Sequence, residues 1–295
     1  YDGDSVGVVI VLHDISEIRK LERIRDVYGG PIDPLPKREA LALLESVIEL
    51  MGKDKYRPRD WRGQPGGLVE LPEKLIPIIV GDLHAQVDNL LNVLSQNAFL
   101  EGLESGEACL VLLGDAVHSE LDGQMDEMES SILIMDLILR FKARFPDRVF
   151  LIRGNHDSFA EDVSKEGIPQ GLLWDRALRE VRGKAYRKAL ERFYDRLPYV
   201  VMSRGFAACH ASPPKSRVTK KMLVDIHRYP GLVPELINNR MYRPSRPAGY
   251  TKGDVRRFRK SLGLSPDAPI IVGHTPVDRT ETYWLDVGAV PDHHV

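Results

Sequence analysis

The chain has 295 residues, 43% of them hydrophobic, which is enough to bury a sizeable core in one large domain with room for an appendage. A formal net charge of −2 offers no general attraction to nucleic acid or to an anionic membrane, and neither is expected as a partner. No apolar run reaches the ~18 residues that a membrane span needs and no basic-then-apolar leader is visible, so a cytoplasmic location is expected.

The first residue is Tyr1 rather than Met, which reads as a piece of a longer chain. Residues 6–12 form a continuous run rich in β-branched side chains and read as a strand. In the HDISEIRKLERIRD that follows, Ile15, Ile18, Leu21 and Ile24 recur at helical spacing, with Asp14 or Ser16 as the cap. GGPIDPLP at 29–36 is expected to be a linker, because Gly and Pro end the helix and resist regular structure. An amphipathic helix is expected over 37–51, then a polar, Pro- and Gly-rich stretch over 52–67 with Trp61 anchoring it to the core.

Strands and helices then alternate. Strands are expected at 75–80, 108–113 and 148–152, with helices at 85–96 and 125–144 between them. Helices at 173–182 and 184–196 precede two strands, 199–202 and 206–209, separated by Ser203, Arg204 and Gly205. Helices at 218–227 and 253–262 and strands at 269–272 and 282–286 complete the chain. The βαβαβ start implies a parallel sheet with right-handed crossovers, and the later hairpin-like strands imply an α/β sandwich of two mixed sheets flanked by helices. Cys109 and Cys209 lie in apolar, strand-like runs and read as buried reduced thiols, not as a disulfide or a nucleophile.

Five short signatures end predicted strands in a fixed order: GDLHAQ at 81–86, GDAVHSE at 114–120, RGNHD at 153–157, CHASP at 209–213 and GHTPV at 273–277. Loops at the carboxyl ends of strands are where open α/β sheets place ligands, so residues far apart in the chain can converge there. The signatures supply Asp82, His84, Asp115, Asn155, His210 and His274, an oxygen and nitrogen set suited to divalent cations that activate water against a phosphoester. Asp82 and His84 are two apart and would point the same way from an extended exit, with Gly81 easing the departure from the strand. Any one of these residues alone would be read as a cap, a surface group or a satisfied core histidine; the ordered set is what points to a site.

This order and spacing resembles the calcineurin-like metallophosphoesterase superfamily over roughly residues 75–290. The resemblance implies a metallophosphoesterase-type sandwich and two divalent metal ions, Mn, Fe or Zn. One ion would take Asp82, His84 and Asp115; the other would take Asp115, Asn155, His210 and His274. It also implies a metal-bridging hydroxide as nucleophile and His156 as the general acid. RGNHD, the stretch RFYDRLPYVVMSRGFAACHASPP, and Pro276 in place of a second His in GHTP resemble the phosphoprotein phosphatase branch. Arg246, seven residues before Gly253, matches the placement of that branch's phosphate-gripping Arg, and Arg243 is a second candidate. Arg153 either makes a structural ion pair or reaches phosphate.

The family's Gly-Asp-x-x-Asp-Arg-Gly appears here as GDAVHSE, so His118 stands where the Asp that orients the general acid is usual and Ser119 where a phosphate-binding Arg is usual. A histidine beside a histidine cannot stabilise an imidazolium as a carboxylate does, and His118 or Glu120 is left to take the role. The first 25 residues resemble the C-terminal end of a PAS sensory domain. The expected organisation is therefore a PAS-domain tail and signalling helix at 1–28, a linker at 29–36 and a metallophosphoesterase domain at 37–295, with a homodimer through the N-terminal helix as a possible partner arrangement. The leading expectation is a dimetal protein Ser/Thr phosphatase acting on a phosphorylated protein or small phosphoester. The alternatives are a nucleotide phosphohydrolase (a dinucleoside tetraphosphatase or a cyclic-nucleotide phosphodiesterase) and a degenerate metal-binding scaffold. Elsewhere, His227 reads as a helix-surface residue, His293 and His294 as solvated or rimming the site, and Tyr250 and Trp284 as core.

Overall fold

The computed structural model describes residues 15–96, 98–211, 213–242, 248–275, 285–286 and 291–294. The expected strands at 6–12 and 282–286, Asp14, Arg243, Arg246 and Trp284 lie outside those residues, apart from the last two positions of the second strand.

Two helices lead, α1 (Ile15–Tyr28) and α2 (Lys37–Gly52), and a short strand β1 (Leu68–Glu70) follows. Then come β2 (Ile76–Val80), α3 (Val87–Ser95), α4 (Phe99–Ser105), β3 (Ala108–Leu112), α5 (Glu129–Arg144) and β4 (Val149–Leu151). Helices α6 (Gln170–Val181) and α7 (Gly183–Asp195) precede the antiparallel pair β5 (Val200–Met202) and β6 (Ala207–Cys209). Helices α8 (Lys220–Val224), α9 (Val233–Asn238) and α10 (Lys252–Leu262), two 3-10 turns (Ile226–Arg228 and Pro230–Leu232) and strands β7 (Ile270–Val272) and β8 (His293–His294) complete the described elements.

The strands form two sheets, β2-β3-β4, whose described pairs are all parallel, and the mixed β1-β5-β6-β7-β8. Strand β3 shows why they stack. Its side chains alternate between faces and both faces are buried, so the run reads as continuously apolar. Cys109 and Val111 meet Val201 and Ala208 of the other sheet, while Leu110 and Leu112 join the helical layer that includes Leu44, Val47 and Leu137. A third cluster packs α8 to α10 on the outer face of the mixed sheet through Leu223, Val255 and Phe258. The result is a four-layer α/β/β/α sandwich in which both cysteines are buried and in no disulfide.

Departures from the expected elements have local causes. Helix α5 begins at Glu129 and not at 125, because Gln170 Nε2 donates to the Met125 and Ser119 carbonyls and holds that stretch irregular. Strand β1 has only three residues, too few to show a period, and exists because β5 pairs with it. Trp61 does not anchor its loop on the core: it is 56% exposed, with the guanidinium groups of Arg62 and Arg228 stacked on its ring.

His293 is not solvated but fully buried. Its Nδ1–H donates to the Ile270 carbonyl at 3.1 Å, and Nε2 accepts from the Tyr250 hydroxyl at 2.7 Å. Burial, with Arg259 and His294 adding to it and the Ile270 carbonyl opposing, brings its pKa down to about 4. The folded chain therefore refuses a proton that the unfolded chain accepts near pH 6.5, so this contribution to stability is complete above 6.5 and is lost as pH falls towards 4. At ~1.36 kcal/mol per pKa unit the loss is on the order of 3 kcal/mol. Urea melts from pH 7 to 4 should show a correspondingly flatter acid limb for His293→Gln than for the unaltered chain; parallel curves would refute the assignment.

The N-terminal helix is not a free appendage. Ile24 and Tyr28 are buried in the helical core, α1 packs on α3 and α5, and Arg23 pairs with Glu101 and Glu104. The 29–36 stretch is pinned too, with Leu35 buried and its N–H donated at 2.8 Å to the buried carboxylate of Asp136, which also pairs with Arg182. Of the apolar stripe expected to be exposed, Leu21 is 46% exposed and Ile24 is covered. Ile24→Ala should therefore cost ~2–5 kcal/mol in a denaturant melt, the range for a buried Ile or Leu truncation, whereas Leu21→Ala should stay within ~0.5 kcal/mol. Equal, small effects would restore the free-helix reading.

Candidate metal centre at the strand ends

The signature loops leave β2, β3, β4, β6 and β7 at their carboxyl ends and meet over the seam between the two sheets. One contact stitches the sheets there, His274 N–H donating to the Asp82 carboxylate at 3.0 Å, while Gly273 N–H donates to the His210 carbonyl at 2.7 Å and extends the β6–β7 pairing within the mixed sheet. His84, Asp115 and His274 all adopt positive φ, at 41°, 49° and 61°, the backbone strain that side chains carry where a site dictates their direction. Gly81 has no such role; its φ is not positive and its surroundings are open. The glycines that matter are Gly154 and Gly273. A Cβ on them would stand 2.2 Å from Asp115 Oδ1 and 2.3 Å from Asp82 Oδ1, so only glycine lets the carboxylates approach.

Asp82, His84 and Asp115 present ligand atoms within 4.8 Å of one another, and so do Asp115, His210 and His274. Asp115 belongs to both groups. Asn155 joins the second, its Oδ1 3.0 Å from His210 Nε2, which is itself 3.2 Å from Asp115 Oδ2. His210 Nδ1 faces the Leu113 carbonyl at 2.8 Å and donates its proton there, which aims the Nε2 lone pair at two oxygens. That arrangement is repulsive unless a positive charge lies between them. Without a metal the proton supplies it: burial disfavours the imidazolium, but Asp115, Asp82 and the Leu113 carbonyl outweigh that and raise the His210 pKa to about 9. Burial opposes ionisation of Asp115 as well, and its neighbouring histidines, His210 foremost, still hold the pKa well below the usual carboxylate range. Asp82, desolvated and beside Asp115, is pushed the other way. The donor set thus fits two divalent cations, with His84 likewise fixed by its Nδ1 on the His118 carbonyl at 3.2 Å.

A cleft of about 770 Å³ opens over this cluster, lined among others by Asp82, His84, Asp115, Asn155, His156 and His274. His156 donates its backbone N–H to Asp115 Oδ1 at 2.7 Å. Its Nδ1 is 3.3 Å from His118 Nδ1, leaving Nε2 as the nitrogen that can serve the cleft. Burial lowers the His118 pKa to about 3, with His156 and His84 adding to it and Asp115 opposing, so His118 is neutral at any ordinary pH. Glu120 lines the same cleft, 3.7 Å from His84 Nε2 and paired with Lys165 at 2.8 Å. Ser119 is buried, its Oγ accepting the Leu121 N–H.

Arg153 is turned away. Its guanidinium stacks on Tyr194 and lies 3.9 Å from Asp195, and among the described residues it does not line the cleft. The cationic side chains that do line it are Lys165 and Arg240, the latter donating to His274 Nε2 at 3.2 Å. Neither was singled out from sequence, because both sit outside the signatures and no spacing marks them. Asp157 was passed over as well, although it is wholly buried and accepts N–H groups from Gly154 at 2.7 Å and Asp115 at 3.4 Å, tying two signature loops together.

A family model described as calcineurin-like phosphoesterase matches residues 78–290. The chain is 38% identical over 80 residues to the serine/threonine-protein phosphatase PP2A-like PPG1 of Candida albicans, covering 27% of this chain and 16% of the relative. It is also 38% identical over 80 residues to the serine/threonine-protein phosphatase 4 catalytic subunit of Eremothecium gossypii, covering 27% of this chain and 22% of that one. With rdgC, a serine/threonine-protein phosphatase of Drosophila melanogaster, it shares 28% identity over 162 residues, 50% of this chain and 22% of the relative. The chain spans less than a quarter of the length of these curated relatives. A solved protein serine/threonine phosphatase of Saccharomyces cerevisiae, similar to human PP5, has the same fold, with a TM-score of 0.63 at 17% identity, covering 88% of this chain and 76% of that one.

Proposed function

The chain belongs to the calcineurin-like phosphoesterase family, and from that premise we propose that it is a dimetal-dependent phosphomonoesterase that dephosphorylates Ser or Thr in proteins. The observation that carries the reading is the meeting of Asp115 Oδ2, Asn155 Oδ1 and His210 Nε2 at 3.0–3.2 Å, with Asp82, His84 and His274 beside them. Asp82, His84 and Asp115 would hold one ion, and Asp115, Asn155, His210 and His274 the other. Two such ions supply an activated water and offset the charge on the phosphoryl oxygens.

The chain's own residues do the rest. His156 holds a proton on Nε2 and passes it to the leaving oxygen, which would otherwise depart as an alkoxide. Its Nδ1–H is accepted by His118 Nδ1, which can accept because burial keeps that ring neutral. His118 thereby fixes the ring direction without the negative charge that a carboxylate would bring, so the imidazolium is oriented but less stabilised. Lys165 and Arg240 on the cleft wall offer the phosphate its counter-charges.

Turnover of a phosphoserine peptide, an aryl phosphate, diadenosine tetraphosphate and a cyclic nucleotide, each with added Mn, tests the reading. Hydrolysis of the first two is expected. Preference for either nucleotide would favour a nucleotide phosphohydrolase, and no turnover with metal bound would favour the scaffold.

A further inference from the structure

The loop between α2 and β1 gathers an unusual density of cations on a surface away from the cleft. Arg57, Arg62, Arg196 and His227 line a pocket of about 290 Å³ whose one carboxylate is Asp60, and it shares no lining residue with the cleft over the candidate metal ligands. Arg57 is the built part. It is 5% exposed and anchored by Nε and Nη2 on the Gly66 carbonyl at 2.9 and 2.6 Å, with Nη2 also 3.4 Å from the Pro65 carbonyl, which leaves Nη1 without a hydrogen bond among the described residues. Arg59 hangs from the Gly52 carbonyl at 2.8 Å, and Arg62 and Arg228 stack on the exposed ring of Trp61.

None of these arginines has a carboxylate within 4.0 Å among the described residues. The nearby acids are otherwise engaged. Asp60 is buried and accepts the N–H groups of Arg62 and Gln64, and Asp225 is buried and accepts that of Trp61. Like charges therefore face each other, with the buried Asp54 and Asp60 as partial compensation. The Arg57 pKa falls to about 10, first through burial and further through Arg59 and Arg196, with Asp54 opposing. In a chain of net charge −2 this concentration is local and not a general basicity.

We propose that this pocket binds a phosphoryl group carried on a polypeptide, as a docking site separate from the metal-ligand cluster. Guanidinium forks match the phosphate dianion in geometry and charge, and clustered arginines are the usual means of reading phosphorylated motifs. A free phosphate ion would fill only the pocket. Trp61, 56% exposed, and the exposed Arg59 and Arg228 extend the surface beyond it, where the flanking peptide would lie. The patch is too short to follow a nucleic-acid backbone. The pocket does not depend on the catalytic reading, and a chain without phosphatase activity would still possess it.

The test uses the whole chain and a peptide carrying a phosphonate in place of phosphoserine, which cannot be hydrolysed. Binding should change tryptophan emission in the unaltered chain and not in Trp61→Phe. Arg196→Glu and Arg62→Glu, both surface changes, should each weaken that response at least ~10-fold, the factor that ~1.4 kcal/mol represents. Both variants should hydrolyse nitrophenyl phosphate at the unaltered rate. The same isotherm in both variants would overturn the proposal, as would an equal response to the unphosphorylated peptide or to inorganic phosphate alone. Failure of nitrophenyl phosphate turnover in every form would count against the catalytic reading and leave the docking site standing.

Discussion

Asp115→Asn is expected to reduce phosphate release to background while leaving the chain folded. The substitution keeps the shape of a side chain that is 1% exposed, and the retained Oδ1 can still accept the His156 N–H. What disappears is the charge and the second acceptor oxygen, the one 3.2 Å from His210 Nε2 that belongs to both ligand groups. A neutral amide cannot bridge two cations as a carboxylate can, so bound metal should fall from two ions per chain to one or fewer. Melting of the metal-free form should drop, because the buried Asp115 carboxylate faces the His210 imidazolium at 3.2 Å and removing one partner of a buried ion pair costs ~3–5 kcal/mol, so folding is checked separately by circular dichroism. Two tightly bound ions in Asp115→Asn would show that the bridging assignment is wrong.

His156→Asn separates the chemistry from the metal. The side chain stands in the cleft but belongs to neither ligand group, so metal content should be unchanged. Loss of the proton donor should lower kcat by ~10²–10⁴-fold for a phosphoserine peptide, whose leaving alkoxide needs a proton. Nitrophenyl phosphate leaves readily without one, and its loss should be far smaller. Equal losses for the two substrates would place His156 in positioning and not in proton transfer. The same comparison bears on His118, whose Nδ1 lies 3.3 Å from His156 Nδ1 and which, as a neutral ring, would orient the proposed donor without stabilising its charge.

The candidate ligands were legible in the sequence because strand-end loops of an α/β sandwich are short, and a short loop keeps its chemistry within a few residues of the strand that aims it. Asp82, His84, Asp115, Asn155, His210 and His274 are therefore brought together as their motifs implied. The strands behind them were legible for a related reason: burial on both faces makes β3 a continuous apolar run. What escaped depends on distant partners. Arg240 and Lys165 come from irregular segments with no period, and only the folded chain places them on the cleft wall. The direction of Arg153 is set by Tyr194 and Asp195 at the end of α7, some forty positions on. The status of α1 was undecidable from its own pattern, since one apolar stripe serves equally for a coiled coil and for packing on α3 and α5; tertiary contacts decide it. Trp61 misled because an aromatic in a polar loop usually anchors, and here two arginines cover it instead.

The proposed chemistry requires two cations acting together at Asp115. The most direct test is to strip the protein with a chelator, return Mn in measured equivalents, and follow hydrolysis of a phosphoserine peptide. Activity is predicted to remain near background through the first equivalent and to rise with the second, reaching a plateau at two ions per chain. Full activity in the stripped protein, or a plateau at one equivalent, would contradict it.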